Sequence, residues 1–144
     1  MIPQAQFIDT TFQLQLDNTE RLTVAQRKAY LQKLRATIIN KRAKIEEALY
    51  LDLRKNPTEA SMTEILPLIL EIDHFLKHLT KWTKPHRVAN NLFFFGSQAY
   101  TVLEPWGMAL IISPWNYPFQ LPILHLISSI AAGNRTMIKP SEFT

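Results

Sequence analysis

The segment from Met108 to Lys139 constrains the fold more than any other part of the chain. It contains an apolar run, MALII (Met108–Ile112), then a helical pattern, FQLPILHLISSIAAGN, and then a second short β-type run, TMIK (Thr136–Lys139). A strand without polar residues is typical of a parallel sheet that is covered on both faces. Two parallel strands need a crossover connection, which is usually a helix. The sequence therefore predicts an α/β fold with a strand–helix–strand unit, whose helix runs from about Pro118 to Ala132.

A stiff loop, SPWNYP (Ser113–Pro118), joins the first strand to this helix. Each proline disfavours the α conformation in the residue before it, so Ser113 and Tyr117 are expected to be extended. In open parallel sheets, ligands bind beyond the carboxyl ends of the strands, and both this loop and Lys139 lie at such ends. An amide at Asn116, near a helix N-terminus, is a neutral donor suited to a developing oxyanion. Asparagine at a helix start is also a common cap or turn residue, so the residues alone leave both roles open.

The front of the chain has helical periodicity. A capping box at Thr23–Gln26 precedes apolar residues that recur on one helix face, and the pattern skips a turn near Asn40–Lys41. A second capping box is predicted at Ser61–Glu64, before another apolar stripe. Pro67 lies too deep for an unperturbed first turn, which predicts a slipped start or a kink. These patterns indicate two or more helices before residue 83.

Two β-type runs follow the helical region. NLFFF and QAYTVLEP flank Gly96-Ser97, which predicts a β-hairpin with its turn at these two residues. The three consecutive aromatic residues, Phe93–Phe95, cannot all face one side of a strand. Either both faces are buried, or one face contacts a partner subunit.

The charge and cysteine content exclude several kinds of site. The formal net charge is +4, but the basic residues between Arg27 and Lys44 alternate with apolar helical positions, so a solvated helix face explains them and no nucleic-acid partner is predicted. The chain contains no cysteine, which excludes disulfides, thiolate metal sites and a cysteine nucleophile within it. His74 and His78 have metal-compatible spacing, but no third ligand is nearby and no metal is predicted.

Length and hydropathy indicate a globular protein. The 144 residues, 47% of them hydrophobic, are enough for one ordinary domain with a real core. No apolar stretch approaches the roughly 20 residues of a membrane-spanning helix, and the N-terminus has no basic segment leading into an apolar one. The sequence therefore predicts a cytoplasmic protein without a membrane span.

The run Leu103–Thr144 resembles the start of the nucleotide-binding domain of aldehyde dehydrogenases. The matching pieces are Glu104-Pro105 with Gly107, then PWNYP, AAGN and KPSE, in the order in which the family has them. PWNYPFQ is similar to the class-three-like branch, which acts on aliphatic and aromatic aldehydes, and the preceding helices and hairpin resemble that branch more loosely. The resemblance implies a Rossmann-like domain that binds NAD, with NADP as the alternative.

The resemblance also implies roles for individual residues. Asn116 matches the asparagine whose amide stabilises the thiohemiacetal oxyanion, and Tyr117 would lie toward the substrate entrance. Lys139 and Glu142 match the pair at the adenosine ribose, and the Glu142 carboxylate is expected to disfavour a 2′-phosphate, which favours NAD. The segment whose backbone passes along the cofactor is matched by Ile112, Ser113, Pro114 and Trp115.

The family reaction needs two groups that the resemblance places beyond residue 144, a cysteine thiolate and a general-base glutamate. We therefore expect an N-terminal piece of the enzyme, inactive by itself and a homodimer when complete. It would comprise a helical region (1–87), a hairpin with a candidate oligomerisation segment (88–104) and an incomplete dinucleotide-binding domain (105–144). Two alternatives stay open, a non-catalytic assembly module that uses the Phe-rich hairpin and, with less support, a basic helical nucleic-acid binder.

Overall fold

Residues 21–144 are described by a computed structural model of the protein. They form helices and two small sheets, which confirms the predicted α/β class. None of the helices in this range has the length and apolar composition needed to cross a membrane. The first part of the predicted helical region, residues 1–20, lies outside the described residues. In chain order the elements are α1 (Val24–Asn40), α2 (Arg42–Leu53), α3 (Pro57–Ala60), a π-helical turn (Ser61–Ile65), α4 (Leu66–Trp82), β1 (His86–Val88), a 3₁₀ turn (Leu92–Phe94), β2 (Ala99–Thr101), β3 (Met108–Ile112), α5 (Gln120–Ala132) and β4 (Arg135–Lys139).

The first capping box and the break after α1 are confirmed. The Thr23 hydroxyl accepts a hydrogen bond from the Gln26 backbone N–H at 3.2 Å, and the Gln26 side chain accepts one from the Thr23 N–H at 2.8 Å. These two bonds satisfy two of the N–H groups that a helix start leaves without partners. The helix ends at Asn40, and α2 begins at Arg42.

The second predicted capping box, at Ser61–Glu64, is wrong. The helical segment begins earlier, at Pro57, where Asn56 caps it by accepting a hydrogen bond from the Glu59 N–H at 2.8 Å. Proline at the first helical position has a suitable φ and no N–H to leave unpaired, so it favours this earlier start. Ser61 and Glu64 therefore lie inside the helical segment, and their side chains serve other contacts.

The predicted irregularity around Pro67 is confirmed. A π-helical turn at Ser61–Ile65 directly precedes α4, and Pro67 lies in the first turn of α4. Proline has no N–H to donate, and its ring clashes with the carbonyl four residues earlier in a regular helix. A wider π turn at this point relieves the conflict without ending the helix.

The hairpin is present, but its first strand was placed wrongly. The strand β1 precedes NLFFF and pairs antiparallel with β2, with His86 opposite Thr101. Three aromatic residues in a row lack the alternation of a half-buried strand, and Leu92–Phe94 instead forms a 3₁₀ turn. The loop is closed by the Asn90 amide, which donates to the Ser97 carbonyl at 2.7 Å. The connection therefore spans residues 89–98, and its phenylalanine side chains project outward.

The strand–helix–strand unit is confirmed. The strands β3 and β4 are parallel neighbours in a register that runs from Met108 opposite Arg135 to Ile112 opposite Lys139, and α5 connects them. Coverage of both faces of β3 is not found within residues 21–144, because Leu110 and Ile112 are 53% and 71% exposed. Side chains alternate across a strand, so α5 covers one face and leaves these two side chains on the other.

The hydrophobic core lies where α1, α4 and α5 meet. Four side chains there are completely buried: Leu31 of α1, Leu68 and Ile72 of α4, and Ile127 of α5. Complete burial of such a side chain contributes about 1.5–3 kcal/mol. The front helices therefore hold α5, and with it the loop between β3 and α5, in a fixed place.

The C-terminus of α5 is held in place by a close contact with α1. Gly133 follows α5 with a φ of 91°, a left-handed conformation that glycine adopts without strain. A Cβ at this position would lie 2.5 Å from the guanidinium carbon of Arg27. The Arg27 guanidinium donates to the Ala131 carbonyl at 3.3 Å, so it occupies the space that a side chain would need.

Candidate active site

The carboxyl ends of β3 and β4 lie side by side, and the residues selected from the sequence stand at or just after these two ends. The Ser113 N–H donates to the Lys139 carbonyl at 3.1 Å, which extends the parallel pairing one residue beyond β3. Ser113 is buried, whereas Pro114, Trp115, Asn116 and Tyr117 are exposed. The loop therefore starts from a fixed point on the sheet and presents its next four residues at the surface.

The side chain of Asn116 does not cap α5. The residue at the N-cap position is Phe119, which provides no side-chain cap. Within the described part of the chain, no group accepts a hydrogen bond from the Asn116 amide, while its backbone carbonyl accepts one from the Lys55 ammonium at 3.0 Å. The backbone of Asn116 is thus held in place and its amide donors are left for another partner.

The N-terminus of α5 is capped from outside the helix by Glu64. One carboxylate oxygen, Oε2, accepts hydrogen bonds from the Phe119 N–H at 3.1 Å and the Gln120 N–H at 2.9 Å. The other, Oε1, accepts a hydrogen bond from the Lys55 ammonium at 2.5 Å. Glu64 has 0% exposure and Lys55 has 9%, and a carboxylate at a helix N-terminus is favoured by the helix dipole.

This buried pair was not predicted from the sequence. The spacing of Glu64 from Ser61 fits a capping box, which predicted a role for Glu64 in its own helix. Glu64 lies four residues before Leu68 and eight residues before Ile72, so it is on the buried stripe of the helix. This position is the signal that could have identified a buried carboxylate. A charged residue on such a stripe requires a partner in the interior.

The Lys55 ammonium also contacts the aromatic ring that follows Asn116. Its nitrogen lies 3.9 Å from the centroid of the Tyr117 ring. A cation over an aromatic face is attracted to the π electrons, and the attraction strengthens where water is excluded. The Tyr117 ring and the Asn116 backbone therefore contact the same buried ammonium. The resemblance places Tyr117 toward the substrate entrance.

Lys139 and Glu142 form an exposed ion pair at the end of β4. The Lys139 ammonium donates to Glu142 Oε2 at 2.5 Å, and the side chains remain 54% and 68% exposed. This hydrogen bond lowers the pKa of the Glu142 carboxyl, and so do a hydrogen bond from the Glu142 backbone and the positive charge of Lys139. The carboxylate is therefore ionised at neutral pH and available to accept hydrogen bonds.

A shallow apolar cavity lies between the end of β3 and the start of α5. Its volume is about 450 Å³. It adjoins the segment whose backbone the resemblance places along a cofactor. The lining residues are Leu110, Ile111, Ile112, Ser113, Pro114, Leu121 and His125.

The two histidines with metal-compatible spacing pack against an aromatic residue. The rings of His74 and His78 are 4.4 Å apart, and the His78 ring stacks on Trp82 at 5.5 Å. Among residues 21–144, no group of three or more His, Cys, Asp or Glu side chains is arranged to hold a metal ion. The spacing is therefore accounted for by stacking along one face of α4.

Comparison with known proteins decides which family has this arrangement. The model of the aldehyde dehydrogenase family matches residues 10–144. The chain belongs to the aldehyde dehydrogenase family. This membership confirms the resemblance that PWNYP, AAGN and KPSE predict.

Curated relatives agree with the class-three-like branch. The 4,4'-diaponeurosporen-aldehyde dehydrogenase of Staphylococcus aureus is 48% identical over 118 residues, covering 82% of this chain and 26% of the relative. Aldehyde dehydrogenase family 3 member B1 of Mus musculus is 40% identical over 118 residues, covering 82% of this chain and 25% of the relative. The chain thus spans about a quarter of the length of these members of the family.

Solved structures have the same fold. The substrate-bound state of Staphylococcus aureus AldH matches with a TM-score of 0.86 and 42% identity, covering 99% of this chain and 31% of that one. Succinic semialdehyde dehydrogenase from Streptococcus pyogenes, in complex with NADP+, matches with a TM-score of 0.75 and 19% identity, covering 95% of this chain and 30% of that one. The second match shows that the fold of these aldehyde dehydrogenases is kept at low identity.

Proposed function

We propose that this chain contributes the oxyanion donor and part of the dinucleotide site to an enzyme that oxidises aldehydes to carboxylic acids with NAD(P). The observation that carries the proposal is the arrangement at Asn116. Its backbone is fixed at the carboxyl edge of a parallel sheet, and its amide is exposed and has no partner within residues 21–144. The proposed substrates are aliphatic or aromatic aldehydes, the class implied by the resemblance to the class-three-like branch.

The proposed role of Asn116 follows from the charge that develops on an aldehyde under attack. When a thiolate adds to the carbonyl carbon, the carbonyl oxygen becomes an oxyanion. A donor already fixed in place stabilises that charge without reorganisation cost, and its effect is greatest where water is excluded. NAD(P), when bound, accepts the hydride that the tetrahedral intermediate then loses. The thiolate itself must come from outside this chain, which has no cysteine.

The end of β4 fits the adenosine ribose of a dinucleotide. A ribose diol both donates and accepts hydrogen bonds, and the ammonium of Lys139 beside the carboxylate of Glu142 offers both partners. The apolar cavity at Ile112–Pro114 lies at the carboxyl edge of the same sheet, where open α/β sheets bind nucleotides. Ile112, Ser113, Pro114 and Trp115 are proposed to border the cofactor with their backbone.

Two substitutions test the proposed ribose site in an enzyme of full family length that contains this chain. Lys139→Ala should weaken NAD binding by about 1–3 kcal/mol through lost hydrogen bonds, measured by calorimetric titration. Glu142→Gln should raise the use of NADP relative to NAD, because it removes a negative charge that would repel a 2′-phosphate.

A matched exposed pair provides the control for these two variants. Arg35 donates to Asp73 at 2.7 Å, and neither side chain lies near β4 in sequence or in the sheet. Asp73→Asn should leave cofactor affinity and preference unchanged. If Lys139→Ala and Glu142→Gln behave like Asp73→Asn, the ribose site is assigned to the wrong residues.

We further propose that the three regions 1–87, 88–104 and 105–144 serve as a helical region, an assembly segment and part of the dinucleotide-binding domain of a homodimer. The observation that favours assembly is the exposure of Phe93 and Phe95, 93% each, in the loop of the hairpin. Exposed aromatic clusters mark surfaces that another part of the protein or another subunit covers. The cytoplasmic location predicted from the sequence stays a prediction.

Replacement of the two exposed aromatic residues tests the assembly segment. The double variant Phe93→Ser/Phe95→Ser should shift the protein toward the monomer, because it removes two almost fully exposed aromatic side chains from the loop. Light scattering after size-exclusion chromatography measures the mass. Tyr30→Ser, which removes a half-exposed aromatic residue from α1, is the control and should not change the mass. A dimer that survives the loop substitutions would exclude this surface as the interface.

A further inference from the structure

The loop that carries Asn116 is held by a buried ion pair that belongs to a different part of the chain. Lys55 follows α2 and Glu64 lies in the π-helical turn, whereas the loop follows β3. The pair is almost completely removed from water, with Glu64 at 0% and Lys55 at 9% exposure. Such a pair must satisfy its remaining donors and acceptors by hydrogen bonds to offset the cost of desolvation.

Those remaining bonds all go to the loop and to the first turn of α5. Glu64 Oε2 accepts from two consecutive backbone N–H groups, those of Phe119 and Gln120, at 3.1 and 2.9 Å. The Lys55 ammonium donates to the Asn116 carbonyl at 3.0 Å and lies over the Tyr117 ring. The pair therefore fixes the backbone of Asn116, the side chain that follows it and the helix start three residues later.

We propose that Lys55 and Glu64 are positioning residues that hold the Asn116 amide in the direction required for oxyanion binding, an inference that rests on the proposed role of Asn116. Two well-packed apolar side chains of similar volume often stabilise a fold as well as a buried ion pair does. Such side chains have no directional bonds, so they do not fix the rotation of a peptide group. The pair makes four contacts with this segment, at the Asn116 carbonyl, the Tyr117 ring and the N–H groups of Phe119 and Gln120, and these contacts supply that direction.

The test uses the double variant Lys55→Met/Glu64→Gln in an enzyme of full family length. Removing one partner alone would leave an uncompensated buried charge, which is strongly destabilising, so both charges are removed together. With Asn116 present, kcat should fall about tenfold to a hundredfold, the size of effect that small misplacements of catalytic groups cause. In the Asn116→Ala background, the same double variant should cause no further fall, because its effect acts through Asn116.

A second measurement reports positioning without activity. In protein labelled with ¹⁵N at asparagine, relaxation of the Asn116 side-chain amide should show greater mobility in the double variant than in the parent. Asp73→Asn, which breaks the exposed pair with Arg35, is the matched control and should change neither kcat nor this mobility.

The outcomes separate this inference from the proposed function. Equal falls in kcat with and without Asn116 would show that the pair only stabilises the fold, and unchanged mobility of the Asn116 amide would also overturn the positioning role. If Asn116→Ala alone leaves kcat unchanged, the oxyanion role is wrong, and the mobility of the amide still decides whether Lys55 and Glu64 orient it.

Discussion

The 144-residue chain by itself is expected to form no NADH from any aldehyde. Hydride loss from an aldehyde requires a tetrahedral adduct, and the family resemblance implies that a cysteine thiolate forms it as a thiohemiacetal. The chain has no cysteine. A serine hydroxyl is a weak nucleophile unless a neighbouring base activates it, so the hydrogen-bond partner of a serine decides whether it could replace the thiolate.

Three serines of the strand–helix–strand unit have no activating base. The Ser113 hydroxyl donates to the Pro114 carbonyl at 3.3 Å, and the Ser128 hydroxyl donates to the Leu124 carbonyl at 3.4 Å. The Ser129 oxygen accepts from the Thr136 hydroxyl at 2.6 Å. Within residues 21–144, these bonds tie the three hydroxyls to backbone or to another hydroxyl, and not to an imidazole or a carboxylate.

One serine does contact a carboxylate, but that carboxylate is a poor base. Ser61 donates to Glu46 Oε1 at 2.8 Å. The hydrogen bond from Arg42 to Glu46, followed by the one from Ser61, lowers the pKa of the Glu46 carboxyl. A carboxylate with a lowered pKa takes a proton less readily, so Ser61 is not activated.

The measurement is the absorbance of NADH with the purified 144-residue chain, NAD and a set of aliphatic and aromatic aldehydes. The control is the same preparation after boiling, and an aldehyde dehydrogenase with its own thiolate serves as the positive control. A rate above that of the boiled sample would contradict the expectation. It would show that the chain contains a nucleophile able to form the adduct although it has no cysteine and no activated serine among those described above.

Several parts of the fold that depend on neighbouring residues were predicted correctly. The strand–helix–strand unit was predicted from the apolar run at Met108–Ile112 and from the helix stop at Gly133. Both signals depend only on neighbouring residues, because an apolar run indicates a buried strand and a glycine allows the left-handed end of a helix. The first capping box at Thr23–Gln26 is equally local. The prediction placed Phe93–Phe95 in a strand by composition, although their order lacks the alternation that a strand needs.

The parts of the site that depend on distant contacts were not predicted. Lys55 and Asn116 are separated by 61 positions, and Glu64 and Gln120 by 56. No pattern of neighbouring residues encodes a contact across such a distance. In the case of Glu64, a plausible local explanation, the capping box with Ser61, concealed the position of its carboxylate on the buried face. The stiffness expected from the prolines of the loop stays a prediction, whereas the contacts that hold the loop come from this buried pair.

Asn116→Ala is expected to lower turnover about a hundredfold or more in an enzyme of full family length that contains this chain, because an oxyanion donor is lost. The substitution removes the amide and leaves the backbone carbonyl that accepts from Lys55. The loop should therefore keep its place while the oxyanion loses its donor. Since the amide has no hydrogen-bond partner within residues 21–144, the free energy of unfolding should change by less than about 0.5 kcal/mol, as for surface substitutions.

The measurement combines kcat for a saturating aldehyde with a urea unfolding curve for the same preparations. Asn40→Ala, at the exposed end of α1, is the matched control and should change neither quantity appreciably. A large fall in kcat at unchanged stability identifies the lost group as one that acts in the transition state. If Asn116→Ala instead lowers stability while turnover per folded molecule is kept, Asn116 is a structural residue of the loop, and the oxyanion donor must lie elsewhere in the enzyme.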